Sequence, residues 1–367
     1  MATEVATAEG AAAPRVDQAR PYAPSWVDAL MRAMERIPGP TWLAYVGLLV
    51  AALATTNFEG WLVGVAPGDL VQSFYAFFFV FPLAVVHYLS LGARDAWDRF
   101  RPATVLDDAD AAEIRYRLSV MPARSVAVLL AMGAATNLAW MAADPVGVAI
   151  SGRPPLYVAL RAITESVLFG MVFVLIYQVV RQLRLVSRLH QSAATVDLLR
   201  PGPLHAMSRL TSRAAMGLIV LAVASGAPTP GMPEPSWLAI VVGFSLPILV
   251  VALAVFFVPL RGMNRRLVEE KARLLDGISE RLQTASAALH RVVDQEAANE
   301  RDADASRVAQ TRIDALNKAL ASLLQERDFV RHQSTWPWDP TTFRAVASAI
   351  ALPIVLFLIT RALDRFI

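Results

Sequence analysis

Cysteine is absent from all 367 residues. That excludes disulfides, thiolate metal sites, iron–sulfur clusters and cysteine nucleophiles. Lysine is nearly absent too: of 34 basic residues only Lys271 and Lys318 are lysine. Charge of either sign is scarce, at 18% of residues, where soluble domains carry about 25%. Glycine and proline are missing from Ile278 to Trp336. The chain has no GxxxxGK(S/T) phosphate loop, no GxGxxG, no GxSxG and no HExxH. Its five histidines, His87, His190, His205, His290 and His332, lack metal-ligand spacing. Asp107, Asp108, Asp110 and Glu113 lack the glycine and oxygen-ligand pattern of a calcium loop and read as helix-capping acids. No catalytic set, metal or cofactor is expected, and the protein is not expected to be an enzyme. Arginine is abundant, but its distribution follows topology rather than a nucleic-acid footprint, so no nucleic-acid partner is expected.

What the chain has is apolar length. Hydrophobic residues make up 56% and the mean hydropathy is +0.45. They cluster into charge-free runs separated by arginine-rich segments, the pattern of a multi-span membrane protein whose main partner is the lipid bilayer. The fold class expected is all-α, a polytopic helix bundle of about seven spans, at 41–56, 71–91, 125–142, 156–180, 210–227, 236–259 and 342–361. The fifth is the weakest, because it crosses only if Arg209 and Arg213 snorkel. Loops 57–70 and 228–235 contain no arginine and 143–155 contains only Arg153. The alternate segments are arginine-rich, which places the N-terminus in the cytoplasm of a cell-membrane protein. Arg361 and Arg365 oppose an external C-terminus, so a helix that lies on the membrane competes with a seventh crossing. Trp42, Trp61, Trp97, Trp140, Trp237, Trp336 and Trp338 flank the spans, at the level indole rings prefer.

Outside the 39–260 bundle, residues 1–23 read as a disordered tail. Residues 24–38 read as an amphipathic helix capped by Ser25, with Trp26, Val27, Leu30, Met31, Met34 and Ile37 on one face. That face can lie on the membrane or pack on the protein itself. Segments 92–124 and 181–209 read as cytoplasmic helical loops, the second continuing the fourth span through Val179, Leu183 and Val186. Residues 261–335 carry two apolar series in steps of four and three: Ile278, Leu282, Ala285, Leu289, Val292, and Ala309, Ile313, Leu316, Leu320, Leu323. They predict a cytoplasmic antiparallel coiled-coil hairpin. In "STWPWDPTTFR", Pro337 stops the charged arm. Asp339 and Pro340 then start the last helix, 336–367.

Polar groups inside the spans are the candidate site. Arg161 and Glu165 are four apart on one helix face. Asn137 lies at similar depth, and His87 and Gln178 sit near the inner ends of their spans. Such groups are costly in lipid unless paired or wet, which points to a pore or gate. A buried pair that only fixes helix register is the competing reading. Pro82, Pro247 and Pro353 are possible hinges. The expected function is a homo-oligomeric channel or transport protein. The alternative is a signalling or scaffold protein that relays to a cytoplasmic partner.

Overall fold

The computed structural model describes residues 21–104, 106–143, 152–192, 202–226, 238–298, 303–334, 344–349 and 351. Among these the chain is helical, apart from loops and one isolated bridge between Pro24 and Pro122.

The first helix, α1 (Trp26–Glu35), starts where the sequence expects it. Ser25 is extended, its Oγ accepts from the Asp28 amide, and Asp28 Oδ2 accepts from the Ser25 amide at 3.0 Å, a reciprocal capping box. The same Oδ2 also accepts from the Met121 amide at 3.0 Å, so the cap fastens α1 to a segment 93 positions away. Val27, Met31 and Met34 enter the core, whereas Trp26 and Ile37 face outward. The amphipathic face is thus divided, its central residues packed on the protein. Residues 21–23, assigned to the tail from sequence, are pinned. The Tyr22 hydroxyl donates to Val120 O at 2.8 Å, Tyr116 donates to Tyr22 O at 2.8 Å, and the Ala123 amide donates to Ala23 O at 3.1 Å. Hydrogen bonds of this kind offset the entropy of ordering a terminus. Residues 1–20 lie outside the described residues. Asp28→Ala would strand the Met121 and Ser25 amides in a buried place. It is expected to cost about 2 kcal/mol and to raise hydrogen exchange across 21–35 and 119–123 together.

Among the described residues six helices are long and apolar enough to cross a bilayer: Trp42–Trp61, Ser73–Phe100, Ala123–Ala143, Pro155–Leu189, Ala206–Ser225 and Leu238–Phe257. They belong to α2 (Trp42–Trp61), α3 (Leu70–Phe100), α5 (Ala123–Ala143), α6 (Pro155–Ser192), α7 (Gly202–Ser225) and, for the sixth, the helical stretch from Leu238 into the start of α8 (Leu246–Ala298). The short α4 (Asp108–Ser119) precedes α5, with Asp107 as its N-cap accepting from the Asp110 amide at 2.7 Å. Of the seventh expected span only residues 344–349 and 351 are described. They are helical, and Val346 is buried in the core. Pro353 and the junction at 335–343 lie outside the described residues.

The weak fifth span has a structural explanation. Its helix, α7, lies between α3 and α8 and is 61% buried within the protein, against 17–44% for the other candidates. A helix screened from lipid need not be apolar all round. Ser208, Thr211 and Ser212 are tolerated there because the hydroxyls of Thr211 and Ser212 donate to Ser208 O at 2.8 and 2.9 Å. Arg213 stacks over the Tyr88 ring at 5.2 Å. Trp97 departs from the expected belt: it is 1% exposed and packs beside Phe100 in the core. Trp42 and Trp61 are exposed, at 61% and 63%.

Several helices run on past the expected span ends, α3 and α8 among them. α3 continues to Phe100 because nothing in "LGARDAWDRF" breaks a helix, and Pro82 sits within it. α8 is one helix of 53 residues, about 80 Å long at 1.5 Å per residue. The boundary placed at 260/261 falls inside it. Just before α8, Val241–Ser245 wind as a π-helix. Pro247 cannot donate to residue 243 and its ring crowds that carbonyl, so the wider turn ahead of it absorbs the conflict. The last helix, α9 (Ala303–His332), packs along α8, and Lys271 Nζ donates to the carbonyls of Arg331 and Gln333 at 2.6 and 2.8 Å. The end of α9 therefore lies back beside residue 271. Ile278, Val292 and Val330 are buried, and the other members of the two apolar series are half-buried, while their neighbours are mostly exposed.

α5 and α6 approach each other closely at Gly133. A Cβ on Gly133 would lie 2.3 Å from Gly170 N and 2.4 Å from its Cα, so the two backbones touch there.

Candidate intramembrane polar site

The N-terminal third of α6 carries an ion pair within a candidate span. Pro155 opens the helix at a position that needs no amide donor. One helical turn spaces Tyr157, Arg161 and Glu165 along a single face. Arg161 Nη2 meets Glu165 Oε1 at 2.7 Å, and Nη1 donates to the Tyr157 hydroxyl at 2.9 Å. The guanidinium also lies over the Tyr75 ring of α3, 5.2 Å from its centroid. The Arg161 and Glu165 side chains are 14% and 13% exposed, so the pair is largely out of solvent. The pairing expected from the four-residue spacing is present.

A second carboxylate joins them. Glu59, on α2, is 4% exposed, and its Oε1 accepts from Thr164 Oγ1 at 2.9 Å. Arg161 and Glu165 are its electrostatic neighbours. Two carboxylates therefore lie within electrostatic reach of one guanidinium, with Glu165 in direct contact. Sequence reasoning missed Glu59 because it falls in "NFEGW", after the expected end of the first span. Its Thr164 partner is 105 positions away. The available signal was a lone acid in an otherwise uncharged stretch from Trp42 to Gly68. Thr164 also lines a cavity of about 270 Å³ between α2, α3 and α6, whose other walls include Leu48, Thr55, Phe79 and Leu83.

Asn137 of α5 is fully buried and attaches to another face of the same turn of α6. Its Nδ2 donates to Ala162 O and Ser166 Oγ, both at 3.2 Å, and its Oδ1 has no hydrogen-bond partner among the described residues.

His87 and Gln178 are not part of this cluster. Gln178 lies about 25 Å along α6 from Arg161 at 1.5 Å per residue. It is fully buried, 3.5 Å from Leu118 O, and accepts from Arg181 Nη1 at 3.3 Å. His87 is 3% exposed. Its Nδ1 is 2.7 Å from the Tyr45 hydroxyl, and its Nε2 is 3.0 Å from Glu35 Oε1 of α1. Arg94 lies 3.6 Å from the same Glu35 oxygen. His87 therefore ties α1 and α2 to α3 at the arginine-rich end of the bundle. Among the described residues no three His, Asp or Glu side chains are grouped to hold a metal ion.

Comparison with protein-family models, with curated proteins and with solved structures finds no match. Fold and composition alone define the class: among the described residues the fold is all-helical, and its six apolar helices fit a multi-pass membrane protein.

Proposed function

We propose that this protein is a channel or transport protein in which Glu59, Arg161 and Glu165 form the ion-handling element. The observation that carries the reading is the charge count: two carboxylates and one guanidinium, buried between apolar helices. An uncompensated carboxylate in such a place is costly unless a cation or proton shares it. The carboxylates come from different helices, α2 and α6, so helix movement changes their spacing. Asn137 extends the polar set, the cavity at Thr164 adjoins it, and Pro82 and the π-turn before Pro247 are the hinges. The arginine-rich ends of the helices face the cytoplasm of a cell membrane in this reading. The α8–α9 pair forms a coiled-coil hairpin that holds copies of the chain together, its exposed Val293, Val308, Leu324 and Phe329 being the contact residues.

Proteoliposomes loaded with a cation- or pH-sensitive dye test this. Wild type is expected to pass ions. Glu59→Gln and Glu165→Ala are expected to reduce flux at least ten-fold while eluting as folded protein. No flux from wild type under either a proton or an alkali-cation gradient overturns the reading.

A second reading rests on α8. Its unbroken course carries any tilt of its membrane end into the α8–α9 arm, which suits a scaffold or signalling protein with a cytoplasmic partner. Silence in flux assays, with one stoichiometric protein captured by the arm of the full chain, would favour it.

A further inference from the structure

At the arginine-rich end of α6 the chain encloses a second polar site, unlike the first in sign. Tyr22, Arg117, Tyr177, Arg181, Arg184 and Arg188 line a cavity of about 370 Å³ between α4, α6 and the segment before α1. That volume lies within the range of small-ligand pockets, about 300–1,000 Å³. Of the nine described residues that line the cavity four are arginines, and none of the nine is a carboxylate.

The neighbouring acids are engaged, although Asp28 Oδ1 has no hydrogen-bond partner among the described residues. Glu113 pairs with Arg117 one turn away on α4. Asp28 Oδ2 is held by Ser25 and the Met121 amide. Arg181 is fixed in place: Nη2 donates to the Tyr22 hydroxyl and to Arg117 O, Nη1 donates to Gln178, and the guanidinium lies 5.4 Å over the Tyr22 ring. Its Nε–H has no partner among the described residues. Arg184 is exposed and makes no ion pair among the described residues. Burial pushes the Tyr22 phenol up to about 12, although Arg181 acts to lower it. The phenol therefore stays neutral and keeps its proton on Val120 O, so it does not cancel the charge of Arg181.

The free Nε–H of Arg181 beside the exposed Arg184 guanidinium offers charge-assisted donors to the oxygens of a phosphate group. The height of the cavity matters as well. Residues 177–188 lie about 33–50 Å from Pro155 along α6 at 1.5 Å per residue. A bilayer's hydrocarbon is about 30 Å thick and its headgroup zones extend the total to about 40–45 Å. The cavity thus opens at and just beyond headgroup level.

We propose that this arginine cavity binds a phosphate-bearing anion, drawn from a phospholipid headgroup or from soluble phosphate. The site does not depend on the transport reading, since it shares no residue with the Glu59–Arg161–Glu165 cluster and is tested without flux.

The test uses delipidated full-length protein in neutral detergent, at physiological salt, followed by native mass spectrometry. The probes are phosphatidylglycerol, phosphatidylcholine and inorganic pyrophosphate. Wild type is expected to bind phosphatidylglycerol at least ten-fold more tightly than phosphatidylcholine. Arg181→Gln should weaken that binding at least ten-fold. Arg184→Gln, a change at an exposed side chain that leaves the Arg181 contacts intact, should weaken it several-fold. The second variant keeps the test decisive if the first destabilises the fold. Pyrophosphate binding that falls in the same variants, with no preference between the lipids, identifies soluble phosphate as the source. Affinities for all three probes that neither substitution changes overturn the site.

Discussion

Gly133→Ala is expected to lower the stability of this protein by about 3 kcal/mol or more, the upper end of overpacking effects. The added methyl group would meet Gly170 N at 2.3 Å, Gly170 Cα at 2.4 Å and Phe169 C at 2.9 Å. These are backbone atoms of α6 and cannot rotate aside, so α5 and α6 must separate by more than 1 Å to restore ordinary contact. Helix association in lipid gains little from hydrophobic burial and depends on such close packing. The Asn137 bonds to Ala162 and Ser166 cross the same interface and would lengthen with it. Intrinsic helix propensity argues for the opposite sign, since alanine favours a helix by about 1 kcal/mol over glycine. Tertiary contact and propensity therefore make opposed forecasts. Gly170→Ala is expected to fall between, because its nearest obstacle is the movable Leu130 side chain at 2.6 Å, with the Leu130 Cα at 3.2 Å. Gly47→Ala, with nothing within 4 Å of the new carbon, should be neutral or slightly stabilising. Thermal unfolding in detergent, followed by tryptophan fluorescence, ranks the three. A Gly133→Ala midpoint equal to that of Gly47→Ala would refute the close approach.

The contrast between Gly133 and Arg161 shows what a sequence exposes. Arg161 and Glu165 are neighbours through helix geometry alone, so their pairing could be read from the four-residue spacing. The Ser25 cap, the course of α6 through Val179 and Val186, and the half-buried positions of the α8–α9 pair are periodic or local in the same sense. Gly133 and Gly170 lie on different helices, and nothing in either run says that they touch. Glu59 was hidden for the same reason: its partner is on another helix, and its depth depends on α2 reaching Trp61. Trp97 was misplaced because an indole at a span end looks alike whether it meets lipid or the protein core. α7 was underrated because hydropathy measures suitability for lipid, and its neighbours shield it from lipid. The division of the α1 face followed from the Asp28–Met121 bond, which no helical period encodes.

Arg161→Gln is expected to be more damaging than either Glu165→Gln or Glu59→Gln. Removing one member of a buried ion pair costs about 3–5 kcal/mol, because the survivor is left charged and unpaired. For Arg161 there are two survivors, Glu165 at 2.7 Å and Glu59 nearby, and they would then face each other with no cation between them. The change also removes the donor to Tyr157 and the cation over Tyr75. Losing Glu165 leaves Arg161 beside Glu59, so the cost should be markedly smaller. Losing Glu59 leaves the 2.7 Å pair intact and should be the mildest. Adding Glu59→Gln to Arg161→Gln should therefore restore part of the lost stability, a coupling on the order of 1 kcal/mol. Unfolding midpoints of the three single variants and this double variant, measured in one detergent, decide the order. A helix clip made of Arg161 and Glu165 alone would make their two substitutions equally costly and leave Glu59 uncoupled. That result would remove the excess carboxylate from the site, and with it the reason to expect an ion there.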